Sequence, residues 1–111
     1  MAERETEVGL YAISVVAQLV GTGQQNIRLY ERRGLLRPDR TAGGTRQYSE
    51  ADLAVLRRIS VLLDEGLNLA GVAKVLELEA ANARLRLELK RARARARSFP
   101  AGDGKDRNAA T

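Results

Sequence analysis

Six arginines between Ser14 and Tyr48 (Arg28, Arg32, Arg33, Arg37, Arg40 and Arg46) stand against only Glu31 and Asp39, leaving that segment a net +4. Guanidinium forks match phosphate oxygens, and arginine can also bond a guanine edge at two points. Beside them lie Gln24, Gln25 and Asn26, whose amides donate and accept together and so suit an adenine edge. The chemistry implied is recognition of a polyanion, with phosphates supplying most of the affinity and base edges the selectivity. Catalysis is not indicated. The chain has neither histidine nor cysteine, which removes disulfides, imidazole and thiolate metal sites and the usual general base. No nucleophile–base pair is visible, and acids such as Asp64 and Glu65 read as solvated charges at a helix end. The expectation is no enzyme activity, no cofactor and no metal.

The rest of the charge is laid out in zones. Residues 1–7 sum to −2, residues 49–79 to −3, and residues 84–97 to +6, seven bases less Glu88. Two positive zones therefore flank a neutral-to-acidic middle, a field that gathers nucleic acid locally. At 111 residues there is room for one small core and an appendage. With four aromatics and one Met, that core must be built from Leu, Val, Ile and Ala. No apolar run approaches the roughly 20 residues of a membrane span, and MAERETEVG lacks the apolar stretch of a signal peptide. The reading is a cytoplasmic protein without membrane contact.

Several elements must position the arginines. Residues 1–10 read as a flexible arm. Ile13, Val16, Ala17, Leu19 and Val20 follow helical spacing, with Ser14 placed to cap the first turn. Gly21 and Gly23 stop that helix, and Gln24–Arg33 forms a second, its buried side falling among Ile27, Leu29 and Tyr30, until Gly34 ends it. Two short helices joined by a glycine turn match a helix-turn-helix. Pro38 prevents a continuing helix. Gly43-Gly44 in RTAGGTRQY then marks the tip of a small two-stranded wing. A third helix starts near Ser49, where Ser-Glu-Ala-Asp resembles a capping box, and carries Leu53, Leu56, Ile59 and Leu63 until Gly66.

A longer helix runs from Ala70 to about Arg97. Val75, Leu78, Asn82, Leu85, Leu89, Ala92 and Ala96 keep a heptad frame, large and apolar only in its first part. A second stripe of Val72, Leu76, Ala80, Ala83 and Leu87 is available to pack back on the head. Asn82, at a core position of the frame, is read either as a register-setting polar residue or as an ordinary one. In Lys90-Arg91-Ala-Arg93-Ala-Arg95-Ala-Arg97, a spacing of two places successive arginines about 200° apart. That spreads charge around the helix and suits loose attraction to DNA, or else a solvated surface. The tail from 98 to 111 reads as disordered. The division expected is an arm at 1–10, a DNA-binding head at 11–76, a helix at 77–97 and the tail.

The residues of the head resemble those of the MerR family of bacterial transcription regulators. The matching pieces are Ile13-Ser14-x-x-Ala17, Ile27-Arg28-x-Tyr30-Glu31-Arg32, Gly34-Leu35-Leu36, Gly44-x-Arg46-x-Tyr48 and Ser49-x-x-Asp52-Leu53-x-x-Leu56-x-x-Ile59. Arg40-Thr41-Ala42-Gly43-Gly44, Glu65 to Val72 and Val75 to Glu79 resemble its HspR branch, the repressors of chaperone operons. The chain departs from the family pattern at Thr22, Asn26 and Leu29, so base preference at Asn26 is its own.

The resemblance implies a mainly α fold, a winged helix-turn-helix head with a two-stranded wing and a C-terminal dimerisation helix. It implies Arg28 and Tyr30 facing the DNA, with Arg46 and Tyr48 gripping it from the wing; for Tyr48 the other reading is that it closes the core beneath the hairpin. The expected DNA-binding set is Ser14, Gln24, Gln25, Asn26, Arg28, Tyr30, Arg33, Arg46 and Tyr48. Leu78, Leu85 and Leu89 are the expected dimerisation residues. The implied function is a homodimeric repressor of heat-shock or chaperone genes on inverted-repeat operators in double-stranded DNA, with a DnaK-type chaperone as co-repressor. The alternatives are an effector-independent developmental or stress regulator of the same family, and a protein–protein adaptor docking through the C-terminal helix.

Overall fold

Val16, Ile27, Tyr48, Leu56, Ile59 and Val72 are fully enclosed, and the elements that carry them define the head. The structure, a computed structural model, describes residues 8–98. In chain order these form α1 (Ile13–Val20), α2 (Gln24–Arg32), β1 (Asp39–Arg40), β2 (Arg46–Gln47), α3 (Glu50–Asp64) and α4 (Leu69–Ser98). Helix α1 packs against both α2 and α3. The fold is mainly helical with a two-stranded antiparallel wing, as the sequence implied.

Local signals explain most of the boundaries. At the end of α1, Gly21 takes φ 69° and turns its N–H back to the Ala17 carbonyl. A side chain with a Cβ is strained in that left-handed conformation, so glycine makes the tight link to α2. Helix α3 opens on a true capping box: the Asp52 N–H donates to Ser49 Oγ at 3.0 Å and the Ser49 N–H to Asp52 Oδ2 at 2.9 Å. Asp serves where Glu is usual, its shorter side chain still reaching the Ser49 N–H.

Several expectations are corrected. Ser14 does not cap α1; the cap position is Ala12, with no side-chain bond, because Tyr11 is already engaged with Tyr48 and the helix starts two residues early. In α3 the last large core residue is Leu62, not Leu63. Steps of three residues rotate the buried face by about 60° each time, so the core wraps around the helix. In the wing, Gly44 alone of the glycine pair has positive φ.

Residues 9 and 10 are not free. The Leu10 and Tyr11 N–H groups donate to the Tyr48 carbonyl, and the Tyr48 N–H returns a bond of 2.7 Å to Tyr11. The Gly9 N–H donates to Asp39 Oδ2 at 3.0 Å. The segment thus lies antiparallel beside the end of β2. Residues 1–7 and 99–111, where the rest of the arm and the tail were expected, lie outside the described residues.

Helix α4 begins one residue earlier than expected because Asn68 caps it, accepting the Gly71 N–H at 2.9 Å. Contacts separate the chain into two units between Lys74 and Val75. Of the second apolar stripe only Val72 is buried, while Ala80, Ala83 and Leu87 are exposed. Asn82 is exposed as well.

Candidate nucleic-acid interface

Helix α2 sorts its side chains by its period. Ile27 and Tyr30 point inward, at 0% and 5% exposure. Gln25, Asn26, Arg32 and Arg33 are exposed, and Gln24 and Arg28 are half-buried. The outer side of the helix is therefore amide-rich at its start and cationic at its end, where Arg32 also complements the helix dipole. Arg28 Nη2 lies 3.5 Å from Gln24 Oε1, a long contact that leaves the guanidinium most of its donors.

One carboxylate ties this helix to the wing. Glu31 accepts from Arg46 Nε at 2.5 Å and from Arg40 Nη2 at 3.2 Å, while Arg40 Nη1 also donates to the Gly44 carbonyl at 2.9 Å. Both wing strands are thereby held to α2 by a side chain that is itself mostly enclosed. The hydrogen bond to Glu31 pushes the Arg46 pKa up, so its charge is fixed under all ordinary conditions. The N-terminal segment is also tied to the start of α3: the Tyr11 hydroxyl donates to Glu50, and this bond raises the Tyr11 pKa.

The head matches the family described as MerR HTH family regulatory protein over residues 11–79. The chain belongs to the MerR family. It is 49% identical to HspR of Streptomyces coelicolor, named as a heat shock protein, over 78 residues that cover 69% of this chain and 52% of HspR. It is 40% identical to the transcriptional regulator GlnR of Bacillus anthracis over 76 residues, covering 68% of this chain and 59% of GlnR. The chain thus spans little more than half the length of these relatives. Among solved structures it superposes on the N-terminal part of MtaN, the multidrug transporter activator of Bacillus subtilis, with a TM-score of 0.59 at 25% identity, covering 92% of this chain and all of that one. It shares its fold with HiNmlR, a MerR family regulator lacking the sensor domain and bound to promoter DNA (TM-score 0.60, 24% identity, 75% and 67% covered). The likeness to HspR agrees with the branch that the sequence motifs resembled.

Within this MerR head the expected site residues divide in two. Gln24, Gln25, Asn26, Arg28 and Arg33 share α2 and its C-terminal boundary, and Arg46 is brought to the same helix through Glu31. Ser14 is exposed near the start of α1. Both tyrosines face inward. Tyr30 is 5% exposed, and Tyr48, at 0% exposure, closes the core under the hairpin, the other of its two readings. Burial raises both phenolic pKa values, for Tyr48 with a further push from the Glu31 charge. The Tyr48 hydroxyl has no hydrogen-bond partner.

Glu31, counted against the arginines and part of the Ile27–Arg32 motif, bridges α2 to the wing, a role its sequence position does not reveal. The arginines on both sides of the glycine turn at Gly44 were the available signal. The tether at Gly9 and Tyr11 was missed as well, since the sequence carries no pattern for it. Leu78, Leu85 and Leu89 are 66%, 62% and 50% exposed, an unusually apolar surface for one helix. The Arg-rich end is not spread evenly, as expected. Two steps of 200° return nearly to the starting side, and Arg86 and Lys90 extend the resulting row, so Arg86, Lys90, Arg93 and Arg97 line one trough beside Leu89. Among the described residues no helix is long and apolar enough to cross a membrane, and no cluster of three metal-binding side chains occurs.

Proposed function

We propose that the chain is a homodimeric, sequence-specific DNA-binding repressor of heat-shock or chaperone genes. The observation that carries this reading is the Glu31 bridge, which makes α2 and the wing one rigid unit with amide and guanidinium groups on its open side. In this reading α2 enters the major groove, Gln24, Gln25, Asn26 and Arg28 meet base edges, and Arg33 and Arg46 meet phosphates. Arg46 then shares its guanidinium between Glu31 and the duplex, since Nε faces the carboxylate and the Nη groups keep their donors. Ser14, exposed near the start of α1, donates its hydroxyl to a phosphate in this reading. Membership of the MerR family and the bound promoter of HiNmlR support DNA as the ligand.

Two heads would be joined through Leu78, Leu85 and Leu89, whose exposure is relieved when a second copy covers them. Two-fold symmetry of the dimer then requires an inverted repeat in the operator. The likeness to HspR favours chaperone genes as targets and a DnaK-type chaperone as co-repressor. Footprinting on the chain's own upstream region and on chaperone promoters tests the assignment. Two protected half-sites related by a dyad are expected. Equal affinity for these fragments and for shuffled duplexes would remove sequence-specific regulation. Addition of a DnaK-type chaperone should strengthen the footprint, and an unchanged footprint would remove it as co-repressor.

A further inference from the structure

The cationic row on α4 is not used by the reading above. On a helix of 100° per residue, Arg86, Lys90, Arg93 and Arg97 fall within about 60° of one another and extend about 16 Å along the axis. All four are exposed, and no acid among the described residues is paired with any of them in an ion pair. The bases of the opposite side, Arg84, Arg91 and Arg95, are interrupted by Glu88 at the same helical spacing. The first row is thus uniformly positive and the second diluted. Long basic side chains turned to one side along a straight axis fit a linear array of anions better than a single small ion.

We infer that the face formed by Arg86, Lys90, Arg93 and Arg97 is a second nucleic-acid contact, binding the phosphate backbone of double-stranded DNA without reading its sequence. This rests on the proposed function, because the head is what brings a duplex near; once it does, the tethered row meets phosphates at high effective concentration. Its length matches the axial rise of about five base pairs. Leu89 at its border lets the aliphatic stems of Arg86 and Arg93 pack while their heads reach outward. The row adjoins the Leu78–Leu85–Leu89 surface at Leu89, which borders both, while Lys90 and Arg97 lie farthest from that surface around the helix.

The test compares two triple variants of the full chain that remove equal charge, R86Q/R93Q/R97Q and R84Q/R91Q/R95Q. Glutamine keeps helix propensity, and circular dichroism checks that α4 persists. Affinity for a duplex containing the upstream region, and for a shuffled duplex, is measured against salt. Each cation that meets a phosphate contributes about 0.9 to the log–log slope. The first variant should lose about two to three units of slope per bound protomer on both duplexes, with the preference between them unchanged, and the second well under one unit. Equal losses from the two variants would overturn the face as a defined contact, and so would no loss from either. Vesicles of phosphatidylglycerol provide the remaining arm: binding that depends on the first triplet there, with the DNA slope unaltered, would assign the face to a membrane surface instead. Failure of the unaltered chain to distinguish the upstream from the shuffled duplex sinks the proposed function; a retained preference with an unaltered slope sinks only this inference.

Discussion

Arg46 Nε lies 2.5 Å from Glu31 Oε2, so the second strand of the wing is fastened to the last turn of α2. The carboxylate that fastens it also neutralises part of the surface that would meet phosphates. Replacing Glu31 by Gln should therefore act in two directions. Arg40 becomes available to any duplex and Arg46 is no longer shared, steepening the salt dependence by up to about 0.9 slope units per protomer. The wing loses its fixed angle, and the ratio of operator to shuffled-duplex affinity should fall. Parallel titrations on the two duplexes check this; an unchanged ratio would show that the bridge does not set the geometry of recognition.

Asn26 and Arg28 offer a cleaner test of base reading, since neither belongs to the core. Asn26→Ala or Arg28→Ala should cost about 1–3 kcal/mol of discrimination at one operator position. Thermal stability should barely move. A selection from randomised half-sites shows whether the preference relaxes at single positions or falls uniformly, the latter marking a phosphate contact.

Tyr48 should behave as a packing residue. Tyr48→Phe removes a buried hydroxyl that has no partner, so stability should hold or rise by up to about 1 kcal/mol, and DNA affinity should persist. Tyr48→Ala should cost about 3–5 kcal/mol. Chemical denaturation separates the two, and a Phe variant that folds normally yet loses DNA would restore Tyr48 to the interface.

The three tyrosines also set an alkaline limit. Each has its pKa raised above the ordinary 10.0, so the folded state favours the neutral phenol more than the unfolded chain does. That stabilisation is complete below about pH 10 and is lost as pH rises through the folded values. The denaturation midpoint should be level with respect to these groups from neutral pH to about 9 and then fall. The fall should be shallower in Tyr48→Phe.

Gly9 sits where no side chain fits: a Cβ there would lie 2.6 Å from the Gln47 carbonyl oxygen. Gly9→Ala should push the N-terminal segment off the wing. The Gly9-to-Asp39 bond and the Leu10 and Tyr11 bonds to Tyr48 would weaken first. Hydrogen exchange should quicken at residues 9–11 and at Tyr48 while α1 and α3 remain protected.

On the second unit, Leu85→Lys should give a monomer by sedimentation and reduce operator affinity more than affinity for a single half-site. A dimer that survives this change would move the interface away from Leu78, Leu85 and Leu89.

The sequence by itself determined the parts that depend on neighbours in the chain. Helical spacing from Ile13 and Leu53, the glycine stop at Gly21, the Ser49–Asp52 box and the hairpin tip at Gly44 are local, and propensity and capping act over a few residues. Their sum was enough to make the head and its family legible. Only the tertiary structure decided matters that join distant positions. Glu31 meets Arg40 and Arg46 across the chain, Gly9 and Tyr11 bond Asp39 and Tyr48, thirty and thirty-seven positions away, and Tyr30 and Tyr48 turn inward although their spacing allowed either side. A tyrosine is amphipathic, so its composition does not choose between core and interface; the packing around it does. A carboxylate among arginines likewise lowers the charge in any count, but whether it idles in solvent or locks two elements together is settled only when the elements meet.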